Sequence, residues 1–328
     1  MLYPLTFRTI FKERVWGGRN LERLYGKALP PNVPIGESWE ISDRPNDVSV
    51  IANGPLAGKD LRWLMEHHAK ELLGDAKPSD GRFPLLVKIL DAEEKLSLQV
   101  HPPAHKAAEL GGEPKTEMWH IADAKPGAEL YAGLKRGVTR EEFERKIKTG
   151  EVADCFHRVK VKAGDIMFLP SGRVHAIGAG LVIFEIQQNS DTTYRVFDWN
   201  RVGLDGKSRE LHVSQSLASI NFDDFEPQLM APLPAGKGLR GRVSCSMFDV
   251  NSFHFDSANS VHLDVQSLRI VGVLNGGVTV TDGEDTSALK AGDFCLIPAE
   301  LKRSEVRAEA GTKFLVVGIG GTGTAETY

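Results

Sequence analysis

Residues 163 to 175 read Ala163-Gly-Asp-Ile-Met-Phe-Leu-Pro-Ser-Gly-Arg-Val-His175, and residues 291 to 303 read Ala291-Gly-Asp-Phe-Cys-Leu-Ile-Pro-Ala-Glu-Leu-Lys-Arg303. The two stretches align without a gap. Each is a Gly-Asp turn, a four-residue apolar strand and a proline that ends the strand because it cannot donate to a ladder. A repeat of this kind predicts two similar β-domains. The boundary is expected between Phe222 and Arg242, where Pro227, Pro232, Pro234, Gly236, Gly238 and Gly241 cluster, giving a first domain of residues 1–230 and a second of 231–328. The copies differ at their last position, where the first has His175 and the second Arg303, so only the first looks equipped for chemistry.

The rest of the chain agrees with a mainly β reading. Apolar runs such as Phe83–Ile89, Leu181–Ile186, Leu268–Leu274 and Phe314–Ile319 are short and separated by turn residues, a pattern typical of sandwiches and barrels. Helical periodicity is confined to a few places. Asp60 to Leu73 carries Leu61, Leu64, Met65, Leu72 and Leu73 at helix spacing behind a candidate cap at Asp60, and Thr139-Arg-Glu-Glu opens a second short helix as a capping box.

With 328 residues, 40 Lys+Arg against 44 Asp+Glu and no basic stripe, the chain lacks the charge of a nucleic-acid-coating protein. Its apolar stretches stop well short of the ~18 to 20 residues of a membrane span, and Arg8 and Lys12 interrupt the start before any leader could form, so a cytoplasmic location is expected. The three cysteines, Cys155, Cys245 and Cys295, show no CxxC spacing. Any metal would therefore need histidine and carboxylate ligands.

Such ligands converge in the first copy. In the strand Leu96-Ser-Leu-Gln-Val-His-Pro102, alternation places Ser97, Gln99 and His101 on one face, which taken alone could simply face solvent. In Lys115-Thr-Glu-Met-Trp-His-Ile121, Glu117 shares a face with Trp119 and Ile121. A carboxylate there is costly unless paired or bound to a metal. His175 follows a strand end. Together His101, Glu117 and His175, with Gln99 beside the first, make a set of three or four N and O donors that suits zinc or another divalent first-row metal. Glu185 interrupts the run Leu181-Val-Ile-Phe-Glu-Ile and by alternation faces with Gln187, either as a proton-handling group or as a partner that orients a ligating histidine. Lys88, in Phe83-Pro-Leu-Leu-Val-Lys-Ile, reads as a phosphate contact or a snorkelling lysine, and Lys115 as a substrate contact on the face of Glu117. Trp16 and Glu37 would wall the pocket or serve loop packing.

The spacing Gly164, Pro170, Gly172, His175 resembles the second signature of the cupin barrels, and Gln99-Val-His101 stands where their first signature has His-x-His. Ala179 departs from the cupin pattern, which often has Asn there. Leu96-Ser-Leu-Gln-Val-His-Pro, Lys115-Thr-Glu-Met-Trp and Glu185-Ile-Gln-Gln-Asn-Ser-Asp-Thr-Thr-Tyr-Arg195 together resemble the type I mannose-6-phosphate isomerases in their short bacterial form, over essentially the whole chain. The resemblance implies two cupin-like jelly-roll barrels and one zinc ion per chain held by Gln99, His101, Glu117 and His175. It further implies Arg195 as the active-site arginine and a proton moved between C1 and C2 of a small phosphorylated hexose through a cis-enediol(ate); a monomer is expected. Lys88, Lys115, Ser97 and Trp16 would contact the substrate. After Arg195 this chain reads Val196-Phe-Asp-Trp-Asn200, so a lysine that longer relatives carry there has no counterpart. A non-catalytic sugar-binding or regulatory cupin and an iron-dependent cupin oxygenase remain the alternatives, because N/O sites accept several metals.

Overall fold

The computed structural model describes residues 1–233, 238–264 and 266–320, for Asp264 the backbone only. Pro234 and Gly236 of the expected boundary region lie outside the described residues. In chain order the strands are β1 (Ile10–Gly18), β2 (Ile35–Ile41), β3 (Asp43–Arg44), β4 (Asp47–Val48), β5 (Leu85–Ala92), β6 (Leu98–Val100), β7 (Glu117–Ala124), β8 (Glu129–Leu134), β9 (Phe156–Lys160), β10 (Ile166–Leu169) and β11 (His175–Ile177). They continue as β12 (Leu181–Gln188), β13 (Tyr194–Phe197), β14 (Leu239–Ser244), β15 (Phe248–Phe255), β16 (Asn259–Asp264), β17 (Arg269–Asn275), β18 (Gly277–Thr281), β19 (Thr286–Lys290), β20 (Phe294–Ile297), β21 (Arg303–Ala308) and β22 (Thr312–Ile319).

These strands form two sandwiches of antiparallel sheets. In the first, the six-stranded sheet β1-β2-β5-β12-β7-β10 packs on the five-stranded β13-β6-β11-β8-β9; in the second, β14-β15-β22-β17-β20 packs on β16-β21-β18-β19. The order β5-β12-β7-β10 recurs as β15-β22-β17-β20, and β6-β11-β8-β9 as β16-β21-β18-β19. The repeat in the sequence is thus a repeat in topology. Ile166–Leu169 and Phe294–Ile297, the apolar strands of the two copies, occupy the same edge in both.

Alternation divides each large sheet between two cores. Inward, Trp119, Ile121 and Ile183 meet Leu130, Ala132 and Ile177 of the facing sheet in the first sandwich, while Val271, Phe314 and Val316 meet Val278, Leu289 and Val306 in the second. Outward, Met118, Phe184 and Ile186 pack with Phe248, Val250, Leu315 and Val317 in one cluster that joins the sandwiches. Burial on both faces explains why Leu181–Ile186 and Phe314–Ile319 read as continuous apolar runs and not as alternating ones. The N-terminus crosses over as well, since Leu5 exchanges 2.8 Å backbone hydrogen bonds with Leu296.

Several local expectations are modified. The helical stretch behind Asp60 is two helices, Leu61–His67 and Ala69–Leu73, broken at His68, whose φ of −139° leaves the helical region. Asp60 does cap the first, accepting from Trp63 N at 2.7 Å. In the helix Arg140–Thr149, Thr139 Oγ1 accepts from Glu142 N, but the Glu142 carboxylate pairs with Lys146 in place of closing the box. The strands on either side of Ala92-Glu-Glu-Lys95, β5 and β6, belong to different sheets. The ungapped match of His175 with Arg303 also slips in space. On β21, Ala308 pairs with Val278 as Ile177 on β11 pairs with Leu130, so the buried Val306, three residues beyond Arg303, takes the place of His175. The short helix Ala299–Leu301 between Pro298 and β21 absorbs the shift.

Candidate metal centre and cleft

The Pro170-Ser-Gly-Arg turn aims His175. Gly172 sits at φ +91°, a conformation that costs L side chains dearly, and its N–H donates to His101 O at 2.9 Å, tying the turn to the end of β6. Arg173 locks the same turn through a two-pronged ion pair with Asp224, both contacts 2.8 Å. Across the sheet, His175 pairs with Gln99, and Gln99 with Arg195.

His101, Glu117 and His175 are all buried, and a ligand-type atom from each lies within 4.8 Å of the others. Nε2 of His101 is 3.5 Å from Glu117 Oε2, and Nε2 of His175 is 3.4 Å from Glu117 Oε1. Each imidazole has its other nitrogen committed: His101 Nδ1 to Thr192 O at 2.8 Å and His175 Nδ1 to Arg173 O at 3.0 Å. Donation from Nδ1 leaves Nε2 with its lone pair, the tautomer a metal ligand needs. Both imidazoles are held neutral chiefly by burial, His101 down to about 3 with the Lys115 cation adding to the effect. Lys115 Nζ is 2.6 Å from Glu117 Oε2, yet neither Glu117 oxygen receives a well-directed hydrogen bond among the described residues. Burial would push this carboxyl up; the Lys115 charge outweighs it and keeps Glu117 ionised. An ionised, fully buried carboxylate with undirected lone pairs between two neutral imidazoles fits a divalent cation. These three residues form a possible metal-binding site. Gln99 adjoins it with its amide nitrogen 3.2 Å from His175 Nε2 and its oxygen accepting from Ser97 Oγ.

A cleft of about 550 Å³ has walls that include Trp16, Lys88, Ser97, Gln99, Lys115 and Trp119; the trio does not line it but touches its wall through Gln99, beside His175, and Lys115, beside Glu117. Glu185 and Arg195 line the cleft too. Glu185 Oε1 accepts from Trp119 Nε1 at 2.9 Å, and its Oε2 lies 3.5 Å from Lys88 Nζ. Burial raises the Glu185 carboxyl against the opposing pull of Lys115. Lys88 also lies 3.8 Å from Glu37, whose carboxyl, despite burial, is held down at about 2 by Lys88 and Arg14. Both lysines therefore already face carboxylates. Arg195 differs: Nη1 donates to Glu210 O at 2.7 Å, while its buried Nε has no partner among the described residues.

Of the ten residues singled out in the sequence for metal, catalysis or substrate, Trp16, Lys88, Ser97, Gln99, Lys115, Glu185 and Arg195 line the cleft, and His101, Glu117 and His175 form the buried cluster beside it. Sequence reasoning missed Arg14, Asp191, Leu204 and Arg209, which complete the cleft mouth. Arg14 pairs with Glu37 at 2.9 Å and Arg209 with Asp198 at 2.6 Å. Neither Arg14, on β1, nor Arg209, in a loop, carries a motif signal that could have marked it.

Comparison with known proteins bears on this arrangement. Residues 5–116 match the family model described as phosphomannose isomerase type I, catalytic domain. The chain is 43% identical over 324 residues to the probable mannose-6-phosphate isomerase GmuF of Bacillus subtilis (strain 168), covering 96% of this chain and 99% of that protein. It is 37% identical over 311 residues to mannose-6-phosphate isomerase ManA of the same organism, covering 90% and 93%. A crystal structure of the mannose 6-phosphate isomerase from Bacillus subtilis superposes with a TM-score of 0.87 at 32% identity, over 97% of this chain and all of that one.

Proposed function

The chain belongs to the mannose-6-phosphate isomerase family, a family of aldose-ketose isomerases, and from that premise we propose that it interconverts D-mannose 6-phosphate and D-fructose 6-phosphate with one zinc ion per chain. His101, Glu117 and His175 would hold the metal, with Gln99 as a fourth contact once its amide turns its oxygen inward. The observation that carries this reading is the buried Glu117 carboxylate, without a well-directed hydrogen bond, between two imidazoles whose Nδ1 atoms are already engaged. A bound divalent metal supplies Lewis-acid polarisation of the substrate oxygens.

The chain's own residues would do the rest. Glu185, with a raised carboxyl and a position fixed by Trp119, takes the proton from one carbon and returns it to the other. Arg195 directs its unpartnered Nε at negative charge that develops in the cis-enediolate. Lys88 and Lys115 hold the anionic substrate together with Ser97, while Trp16 covers it and limits water. The mixed charge suits a sugar phosphate. Carboxylates next to the lysines accept hydroxyl hydrogen bonds, and the cations of the lining offer charged donors to the phosphate.

The proposal includes a catalytic domain of residues 1–230 followed by a metal-free domain of 231–328, acting as a monomer in the cytoplasm. Among the described residues no helix is long and apolar enough to cross a membrane. The test is a coupled assay of mannose 6-phosphate conversion with as-purified, chelated and zinc-restored protein, repeated without oxygen. Turnover restored by zinc and indifferent to oxygen is expected. No turnover in the zinc form would sink the reading, and dependence on oxygen would favour an oxygenase.

A further inference from the structure

Strand register carries the first cleft onto the second sandwich residue by residue. Leu169 pairs with Glu117, and its repeat counterpart Ile297 pairs with Arg269; Met167 pairs with Trp119, and Cys295 with Val271. One strand further, Trp119 faces Glu185 and Glu117 faces Gln187, whereas Val271 faces Val316 and Arg269 faces Gly318. At the next strand Glu185 faces Lys88 and Val316 faces Asn251. The buried carboxylate of the metal trio is therefore replaced by a guanidinium. The acid Glu185 becomes Val316, and Lys88 becomes Asn251.

These substituted positions open into a larger space than the first cleft. Arg269, Asn251, Val316 and Gly318 line a cavity of about 1650 Å³, rimmed by Lys302 and, from the first sandwich's helical insertion, Lys70. Gly318 makes room for the arginine, since a Cβ there would lie 3.0 Å from Arg269 Nη1. Arg269 Nη1 donates to Ser267 O, Ser267 Oγ and Leu268 O at 2.9 to 3.3 Å. Its Nε and Nη2 have no partner among the described residues, and no carboxylate there forms an ion pair with it. Of the four acidic residues in the lining, Asp249 is engaged with Arg242 at 2.7 Å and Glu300 with Leu2 N at 2.9 Å, and Glu71 and Asp75 form no ion pair with Arg269. A half-buried guanidinium with two unengaged donors on one edge is built for a two-pronged bond to an oxyanion, and desolvation without such a partner is unfavourable.

We propose that the second-sandwich cavity binds a small oxyanion metabolite, a phosphate ester or a carboxylate, anchored on Nε and Nη2 of Arg269 with Lys302 and Lys70 at the rim. The duplication thus retained a pocket and inverted its charge. No residue of this site belongs to the first cleft, so it stands or falls independently of the isomerase reading.

The test titrates the full chain with inorganic phosphate and, separately, citrate by isothermal calorimetry. Arg195→Met serves as the background that weakens anion binding in the first cleft. In that background saturable binding of at least one anion is expected, with Arg269→Met weakening it at least tenfold. Preference between phosphate and citrate assigns the ester or the carboxylate class. Lys302→Glu, at an exposed position that leaves the core intact, should weaken the same binding two- to fivefold even if Arg269→Met folds poorly. Absence of saturable binding at millimolar anion, or binding indifferent to both substitutions, overturns the proposal.

Discussion

The two sandwiches share a strand order and differ in what their interiors hold. The first buries Lys88, His101, Lys115, Glu117, His175 and Glu185 among its apolar residues. The second has Arg269, Val316 and Asn251 at the matching strand positions and packs rings two residues further along: Phe253 and Phe314 stack at 5.1 Å and 13°, and Phe255 meets Phe314 edge-on at 5.6 Å. Burying charge lowers stability unless every group finds a partner, whereas apolar packing contributes roughly 1.5 to 3 kcal/mol for each large side chain fully buried. The difference teaches how a duplicated fold can divide labour. One copy holds strained electrostatics in place, and the other, through the outer faces of the large sheets, braces it.

The sharpest way to break the contrast is to remove a ligand from the first copy. His175→Ala should abolish metal binding and turnover together, exceeding the roughly 10- to 100-fold loss expected for a residue that merely orients a ligand. Metal content by elemental analysis and the coupled assay check it, and retained metal would move His175 out of the site. Glu185→Gln keeps an acceptor for Trp119 and should lower kcat by about 10² to 10⁴ while denaturant stability changes by no more than about 1 kcal/mol. Unchanged kcat would return Glu185 to a positioning role.

The converse substitution addresses the second copy. Phe314→Ala should cost about 3 to 5 kcal/mol in chemical denaturation, with kcat per folded molecule unaltered below the transition. A fall in kcat at full folding would show that the second sandwich shapes the cleft directly.

The joint between the copies has its own signature. His120 on β7 is buried against β15, its Nε2 3.5 Å from Ser252 Oγ, and burial, aided by Lys313, lowers it to about 4. The unfolded chain takes up this proton near the ordinary imidazole value of about 6.5, before the folded one does. Stability from this group is therefore complete above that pH and lost as pH falls towards 4, by about 3 kcal/mol. Urea titrations across that window on the wild type and His120→Gln should differ in slope; equal slopes would place the acid sensitivity elsewhere. The smallest effect expected is Thr139→Ala, which removes a helix cap far from both cores and should cost about 1 kcal/mol by thermal melting.

Much of this was legible from the chain. Alternation along Ser97-Leu-Gln-Val-His101 and in Lys115–Ile121 put the polar groups on the cleft side because a strand has only two faces. Pro170 and Gly172 announced a turn that only glycine accommodates, and His175 followed from it. Other features were hidden. Arg14 reaches the cleft from β1 and Arg209 from a loop, and no local pattern encodes that approach. The helix from Leu61 breaks at His68 despite even apolar spacing, since tertiary packing overrides a weak propensity.

The sequence by itself determined the duplication, the β class, the donor types available for a metal and the side of each strand that carries them. These are matters of period and composition, readable over a few residues. Tertiary structure decided the three-residue slip that puts Val306 in the place of His175, the approach of His101 and His175 to Glu117, and the outer-face core that fuses the sandwiches. It also set Arg269 opposite Gly318. Each of those depends on register between strands distant in sequence, and register is settled only when the whole set of buried faces packs at once.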